Sequence, residues 1–157
     1  MGQPGRATAA AQRAIDLSPS FALGYLLLGM SRLFAGRAAQ AIEPLERGLR
    51  LSPHDPQAFM WLQFLAFAHF LQGDYEEAAD RATEAVAMRP ESLSAQCILA
   101  CSSAQLGRRD EASEALADMK RTTPAGRGGL DEFIARFANP TDRERIVQGL
   151  RIAGWRG

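Results

Sequence analysis

Residues 73–90 read GDYEEAADRATEAVAMRP, which is the pattern of a turn, an amphipathic helix and a stop. Gly73 permits a tight bend, and Asp74 can accept hydrogen bonds from the first free N–H groups of a following helix. Pro90 ends the pattern because proline cannot continue a helix. Small residues recur at helical spacing in between and form a smooth face that lets another helix approach closely, at Ala78, Ala82 and Ala85.

The same pattern occurs in Gly36–Pro53 and in Gly107–Pro124, each with an alanine five residues after the glycine. The prolines at 19, 53, 90 and 124 are spaced by 34, 37 and 34 residues (53−19, 90−53, 124−90). A helix–turn–helix period of about 34 residues is the signature of tetratricopeptide repeats, and the chain resembles that family over most of its length. The resemblance implies an all-α, right-handed superhelix of about three and a half helical hairpins with a C-terminal cap of two helices.

We expect the repeats to occupy residues 1–124, with a half repeat at 5–19 and full repeats at 22–53, 56–90 and 93–124. Residues 125–157 should form a linker, at AGRGG (125–129), and two capping helices. The half repeat has a second helix without a first. This indicates either an alanine-rich cap or a fragment of a longer chain.

Three features depart from the regular pattern. Pro44 lies inside the second helix of the first repeat, where it should loosen the first turn unless the helix starts at about residue 42. Arg32 stands where the family usually has tyrosine. The second repeat is three residues longer than the others, and its apolar stretch between Pro53 and Gly73 predicts a first helix of about seventeen residues.

Composition excludes several classes of protein. The 18 basic and 18 acidic residues balance, so net charge gives no argument for nucleic-acid or membrane binding. Two cysteines are too few for a disulfide framework and favour a reducing compartment. The sequence has no uninterrupted apolar run of about eighteen residues and no apolar signal-peptide core at its N-terminus. We therefore expect a cytoplasmic protein.

A more specific resemblance is carried by the long second repeat (51–78) and by the ending NPTDRERIVQGLRIAGW (139–155). Together they resemble the tetratricopeptide region that follows the catalytic domain of bacterial class III adenylate and guanylate cyclases and related signalling regulators. The residues that match this ending are Asp142, Gly149, Leu150, Arg151, Ala153 and Gly154. The resemblance implies a regulatory or scaffolding region without enzyme activity, because any cyclase domain would lie outside this chain.

Catalytic and cofactor sites are not indicated. Cys97 and Cys101 are four residues apart on one helix and could supply two thiolates to a metal, but no further ligand is local, and small groove-lining residues are the simpler interpretation. GRGG (126–129) lacks the strand, helix and Lys-Ser/Thr of a phosphate-binding loop. We expect no catalytic residue, no cofactor and no metal.

The resemblance places a partner-binding groove on the concave face, lined by the first helix of each repeat. The expected lining residues are Leu23, Leu26, Met30, Leu33, Met60, Gln63, Phe67, Phe70, Cys97 and Cys101. Contiguous apolar surface of this kind usually marks an interaction site. The alternative is that these residues are buried between helices or covered by the cap of the chain itself.

The leading hypothesis is a protein–protein interaction module that binds an apolar peptide or helix in this groove. One alternative is a homodimerisation module, in which the unpaired N-terminal helix and the apolar long helix pair across a two-fold axis. Another is a small-molecule sensor with its ligand near Phe67, Cys97 and Cys101. A clamp for chaperone carboxylates is not expected, since that class uses Lys, Asn and Arg where this chain has Leu26, Met30 and Gln63.

Overall fold

The computed structural model describes residues 3–122 and 128–157, and within these ranges the chain forms helices and no strands. The all-α prediction is therefore confirmed. The helices are α1 (Gln3–Leu17), α2 (Ala22–Phe34), α3 (Ala38–Leu51), α4 (Ala58–Leu71), α5 (Tyr75–Met88), α6 (Leu93–Gln105), α7 (Arg109–Thr122), α8 (Gly128–Ala135) and α9 (Pro140–Ile152).

The turn inside each helix pair depends on glycine. Gly36, Gly73 and Gly107 have φ angles of 81°, 82° and 74°, a left-handed conformation that side-chain-bearing residues rarely adopt. Asp74 then caps α5, because its carboxylate accepts a hydrogen bond from the backbone N–H of Glu77. The recurring glycine thus reverses the chain at the same point of every repeat.

Small residues let the two helices of a pair approach closely. A Cβ added to Gly29 of α2 would lie 2.4 Å from Cγ of Leu45 on α3. A Cβ on Gly48 of α3 would lie 2.2 Å from Nε1 of Trp61, on the first helix of the next repeat. From α1 to α7, each helix therefore packs on the next one in the chain, and one apolar core runs from α2 to α9.

One local prediction is wrong, and one of the two alternatives at Pro44 is excluded. The apolar first helix of the second repeat is α4, with 14 residues rather than seventeen, and Pro56 lies in the turn before it. Most of the extra residues of this repeat lie in the connection 52–57, between α3 and α4. Helix α3 starts at Ala38 rather than near residue 42 and continues through Pro44, whose ring is buried.

The C-terminal helices lie across the array instead of stacking on its end. α9 packs on α6, and both Phe133 of α8 and Phe137, which follows α8, contact α2 and α4. Of the expected linker, residues 125–127 lie outside the described ranges, and Gly128 and Gly129 belong to α8. No helix in the described ranges is long and apolar enough to cross a membrane.

Candidate protein-binding surface

The side of the array formed by α2, α4 and α6 is called the concave face here. On α2 it presents Leu23, Leu27, Met30 and Phe34, whose spacing of four, three and four residues keeps them on one side of the helix. The corresponding residues of α4 include Met60, Phe67 and Leu71, and those of α6 include Ser94 and Cys101. One half of this face is covered by α8 and α9, and the other half is open.

Aromatic side chains fill the covered half. The Phe137 ring lies 5.0 Å from the Phe34 ring and 5.5 Å from the Phe67 ring, measured between centroids. Phe133, on α8, lies 5.2 Å from Phe67 and 6.3 Å from Phe34. Edge and tilted contacts of this kind add to the stabilisation from burial. Phe133 of α8 and Phe137, just after α8, therefore join the C-terminal segment to both the first and the second repeat.

Helix α9 covers the third repeat. A Cβ added to Gly149 would lie 2.9 Å from Cβ of Cys101 and 3.2 Å from the Phe70 ring, so only glycine allows this approach. The Cys101 thiol donates a hydrogen bond to the carbonyl of Ile146 over 3.4 Å. Burial, with a smaller contribution from Cys97, raises the pKa of the Cys101 thiol well above its usual value.

Backbone carbonyls at the ends of two first helices also bind the C-terminal segment. The last carbonyls of a helix have no partner within the helix. The Phe34 carbonyl accepts a hydrogen bond from the Ala138 N–H over 2.7 Å, and the Leu71 carbonyl accepts one from the Arg145 guanidinium over 2.7 Å. Phe34 and Leu71 occupy equivalent positions in successive repeats. In both repeats, a backbone carbonyl that has no partner within its helix accepts a hydrogen bond from the C-terminal segment.

The structure divides the predicted groove residues into two groups. Seven are buried, in the core or beneath α8 and α9: Leu26, Leu33, Gln63, Phe67, Phe70, Cys97 and Cys101. Three retain exposed surface: Leu23 is 43% exposed, and Met30 and Met60 are half-buried. The open half of the concave face also includes Leu27, which is 46% exposed and was missed by the sequence analysis. The four-three-four spacing of apolar residues on α2 is the signal that could have found it.

A small polar cluster borders the open half. The Gln63 side-chain oxygen accepts hydrogen bonds from the hydroxyls of Ser92 and Ser94, each over 2.9 Å. Ser92 also caps α6 by accepting a hydrogen bond from the Ala95 N–H. Gln63 thus links the first helices of the second and third repeats.

The remaining polar candidates do not form a reactive site. Cys97 and Cys101 are both buried thiols, and among the described residues no group of three or more His, Cys, Asp and Glu is arranged to hold a metal ion. His69 Nδ1 lies 3.6 Å from a carboxylate oxygen of Asp74, in the turn between α4 and α5. The surroundings of Cys97, Cys101 and His69 are therefore those of packing residues.

Two family models, each described as tetratricopeptide repeat, match residues 20–91 and 65–126. Residues 20–126 are tetratricopeptide repeats. A search of curated proteins gave no match. Among solved structures, the crystal structure of MamA is similar with a TM-score of 0.67 and 20% identity, over 93% of this chain and 84% of that chain. The structure of YrrB, described as a tetratricopeptide-repeat protein with an unusual peptide-binding site, has a TM-score of 0.64 and 22% identity, over 96% and 76%.

The tetratricopeptide repeats of this chain therefore share their right-handed superhelical fold with MamA and YrrB. The repeat stacks helix pairs so that their first helices form an extended surface, which is the feature that repeat proteins use to bind other proteins. The coarse functional class follows from the family: a protein–protein interaction module.

Proposed function

We propose that this chain is a non-catalytic binding module that holds an apolar helix or extended segment of a partner protein on the open half of its concave face. The observation that carries the proposal is the exposure of two large apolar side chains on the half of the face that α8 and α9 leave open. Leu23 and Leu27 are 43% and 46% exposed, and Met30 and Met60 lie beside them with part of their surface open. Met side chains adapt to varied partner shapes.

The covered half supports this choice of partner, because it already holds amphipathic helices. There the face contacts Phe133 of α8, Phe137 just after α8, and the surface of α9 around Gly149. A partner segment on the open half would continue the same apolar strip, with large side chains at helical spacing. The surface is mainly apolar, so binding should depend only weakly on salt concentration.

The test places a photo-cross-linking amino acid at Leu27, with a matched control at the exposed Asp80 of α5. We expect one partner to be captured from cells through position 27 and not through position 80. The purified partner should then bind the wild-type chain and bind the Leu23→Asp variant at least about tenfold more weakly. Equal affinity for the two chains would contradict the proposal.

We further propose that the module is the regulatory or scaffolding region of a bacterial, cytoplasmic signalling protein related to class III cyclases. The support is the C-terminal sequence motif, which forms α9, together with two free, buried cysteines that suit a reducing compartment. The size of the native protein in its source cells tests this. A band far above 17.1 kDa is expected, and a band near 17.1 kDa would argue for a free-standing adaptor instead.

The small-molecule hypothesis has less support than protein binding. Its candidate side chains, Phe67, Cys97 and Cys101, are fully buried and are packed against atoms of the chain itself. A ligand could reach them only if α8 and α9 moved away. Ligand-dependent melting temperatures would reveal such a site.

A further inference from the structure

The feature that the proposed function does not use is the side-chain amide of Gln63 on α4. Gln63 lies on the concave face, between Met60 three residues earlier and Phe67 four residues later. By the repeat spacing its equivalents are Leu26 on α2 and Cys97 on α6, which are 1% and 0% exposed. Gln63 is almost as deeply buried, at 6% exposed. A primary amide at this depth is costly unless both of its ends have hydrogen-bond partners.

The two ends of the Gln63 amide are in different surroundings. Its oxygen accepts hydrogen bonds from the hydroxyls of Ser92 and Ser94, each over 2.9 Å, and these bonds fix which end of the amide faces α6. The nitrogen Nε2 therefore points away from the two hydroxyls, and among the described residues it has no hydrogen-bond partner. The nitrogen is not fully enclosed, so solvent reaches it. One amide donor thus remains unused on the concave face.

The three helices that form this face carry almost no charge. α4 and α6 contain no Lys, Arg, Asp or Glu, and the only such residue of α2, Arg32, donates to the Gln40 carbonyl on α3. A carboxylate or phosphate placed against Gln63 would lose its hydration without meeting a cation on these helices. The acceptor that matches this donor is therefore a neutral one.

Main-chain carbonyls are the neutral acceptors that every protein segment offers, and their availability depends on conformation. Within a helix, each carbonyl is already bonded to the N–H four residues later. In an extended segment that is not part of a sheet, the carbonyls have no partner in their own chain. A donor at the floor of an apolar surface thus distinguishes an extended segment from a helix.

We propose that Gln63 selects an extended partner segment, by donating a hydrogen bond from Nε2 to one of its main-chain carbonyls while its apolar side chains lie on the open half of the concave face. This inference rests on the proposed function and chooses between the helix and the extended segment that it leaves open. The bond satisfies the one end of the Gln63 amide that the fold leaves unpaired.

The experiment uses the full 157-residue chain and dodecapeptides from a random phage-displayed library. Peptides that bind the wild type but not the Leu23→Asp variant are ligands of the open half. We expect Gln63→Leu to bind these peptides about tenfold more weakly, because a peptide carbonyl is then buried without a donor. Gln63→Leu introduces the residue that the first repeat has at Leu26, and circular dichroism checks its fold. The matched control, Gln40→Leu on the exposed side of α3, should leave the affinity unchanged.

A second measurement identifies the acceptor. Each peptide carbonyl is replaced in turn by a thiocarbonyl, which keeps the shape of the peptide but accepts hydrogen bonds poorly. At one position the replacement should weaken binding to the wild type and have no effect on binding to Gln63→Leu. Ser94→Ala removes a hydrogen bond from the Gln63 oxygen and keeps the nitrogen, so the thiocarbonyl effect should persist in this variant.

The outcomes separate this inference from the proposed function. If the selected peptides depend on Leu23 but bind Gln63→Leu as tightly as the wild type, the inference is wrong and the proposed function stands. The same holds if the thiocarbonyl effect is equal in both proteins, or if the bound peptides are helical by circular dichroism. If no selected peptide is lost in Leu23→Asp, the proposed function fails and this inference fails with it.

Discussion

Two residues that depart from the repeat pattern compensate for each other. Pro44 has no N–H, so the carbonyl four residues earlier, on Gln40, loses its helical hydrogen bond. The guanidinium of Arg32 donates to that carbonyl over 3.0 Å, from the neighbouring helix α2. Arg32 stands where the family usually has tyrosine. The unusual arginine thus supplies the donor that the unusual proline removes, and α3 stays continuous.

A double-mutant cycle measures this coupling. Arg32→Met should lower the free energy of unfolding by about 1 kcal/mol, because a carbonyl loses its only side-chain donor. In the Pro44→Ala background the backbone N–H is restored, and Arg32→Met should then cost less. Urea denaturation of the four proteins gives the interaction energy. Equal costs in both backgrounds would show that the two departures are independent.

Asp142 makes stability depend on pH. It lies in the first turn of α9 and is largely buried, and desolvation raises its pKa although Arg145 opposes the shift. A folded pKa above the unfolded value means that the native state holds the proton more tightly. The contribution of this group to stability is therefore greatest at low pH and is lost as the pH rises through the folded pKa, from about pH 4 upward.

The comparison with Asp142→Asn isolates this effect. The variant should gain stability relative to the wild type as the pH is raised from about 3 to 7, because the wild type alone must bury a charge. Thermal unfolding of both proteins across this range is the measurement. A stability difference that does not change with pH would show that Asp142 ionises without cost.

At the scale of the helices, the sequence predicted those features that depend on residues close together in the chain. The turn glycines, the Asp74 cap and the alanine face of α5 each act within a few residues, so the pattern reveals them directly. It did not predict how the extra residues near Pro56 are divided between helix and connection. It also assigned Leu26 and Leu33 to the groove rather than to the core, because a register error of one residue moves a side chain about 100° around a helix.

The contact between α9 and α6 depends on the absence of a side chain at Gly149. In Gly149→Ala the new Cβ would meet Cβ of Cys101 at 2.9 Å, so α9 must shift outward or the core must rearrange. We expect a loss of stability of about 1–3 kcal/mol, the usual cost of overpacking. Ala is a better helix former than Gly, so a loss would show that packing outweighs propensity.

The buried thiol reports the same contact in solution. Cys101 should react slowly with a thiol reagent in the wild type, since burial raises its pKa and α9 covers it. Gly149→Ala should accelerate labelling, whereas the exposed neighbour Gln148→Ala should not. Reaction at the wild-type rate in Gly149→Ala would mean that α9 stays in place and the core absorbs the methyl group.

At the scale of the whole molecule, the C-terminal segment connects repeats beyond the contacts that each repeat makes with its neighbours. Repeat arrays are quasi-one-dimensional, because each repeat contacts only its neighbours. Here Phe137 contacts the first and second repeats, and α9 contacts the third. The sequence could not place this segment on the concave face, since its contacts join residues about a hundred positions apart, such as Phe34 and Phe137. The open part of the face could be located only after the covered part was known.

The contacts of Phe137 with the first and second repeats, called the bridge here, predict cooperative unfolding across the repeats. Phe137→Ala removes a fully buried ring that lies against Phe34, Phe67 and Phe133, and it should cost about 3–5 kcal/mol. Native-state hydrogen exchange should then show lost protection in α2 as well as in α8 and α9, although α2 is remote in sequence. The control is Phe59→Ala on α4, whose half-buried ring lies under Arg89 and away from the bridge. If Phe137→Ala lowers protection in α8 and α9 alone, the C-terminal helices are an independent unit, and the repeats fold as a simple linear array without them.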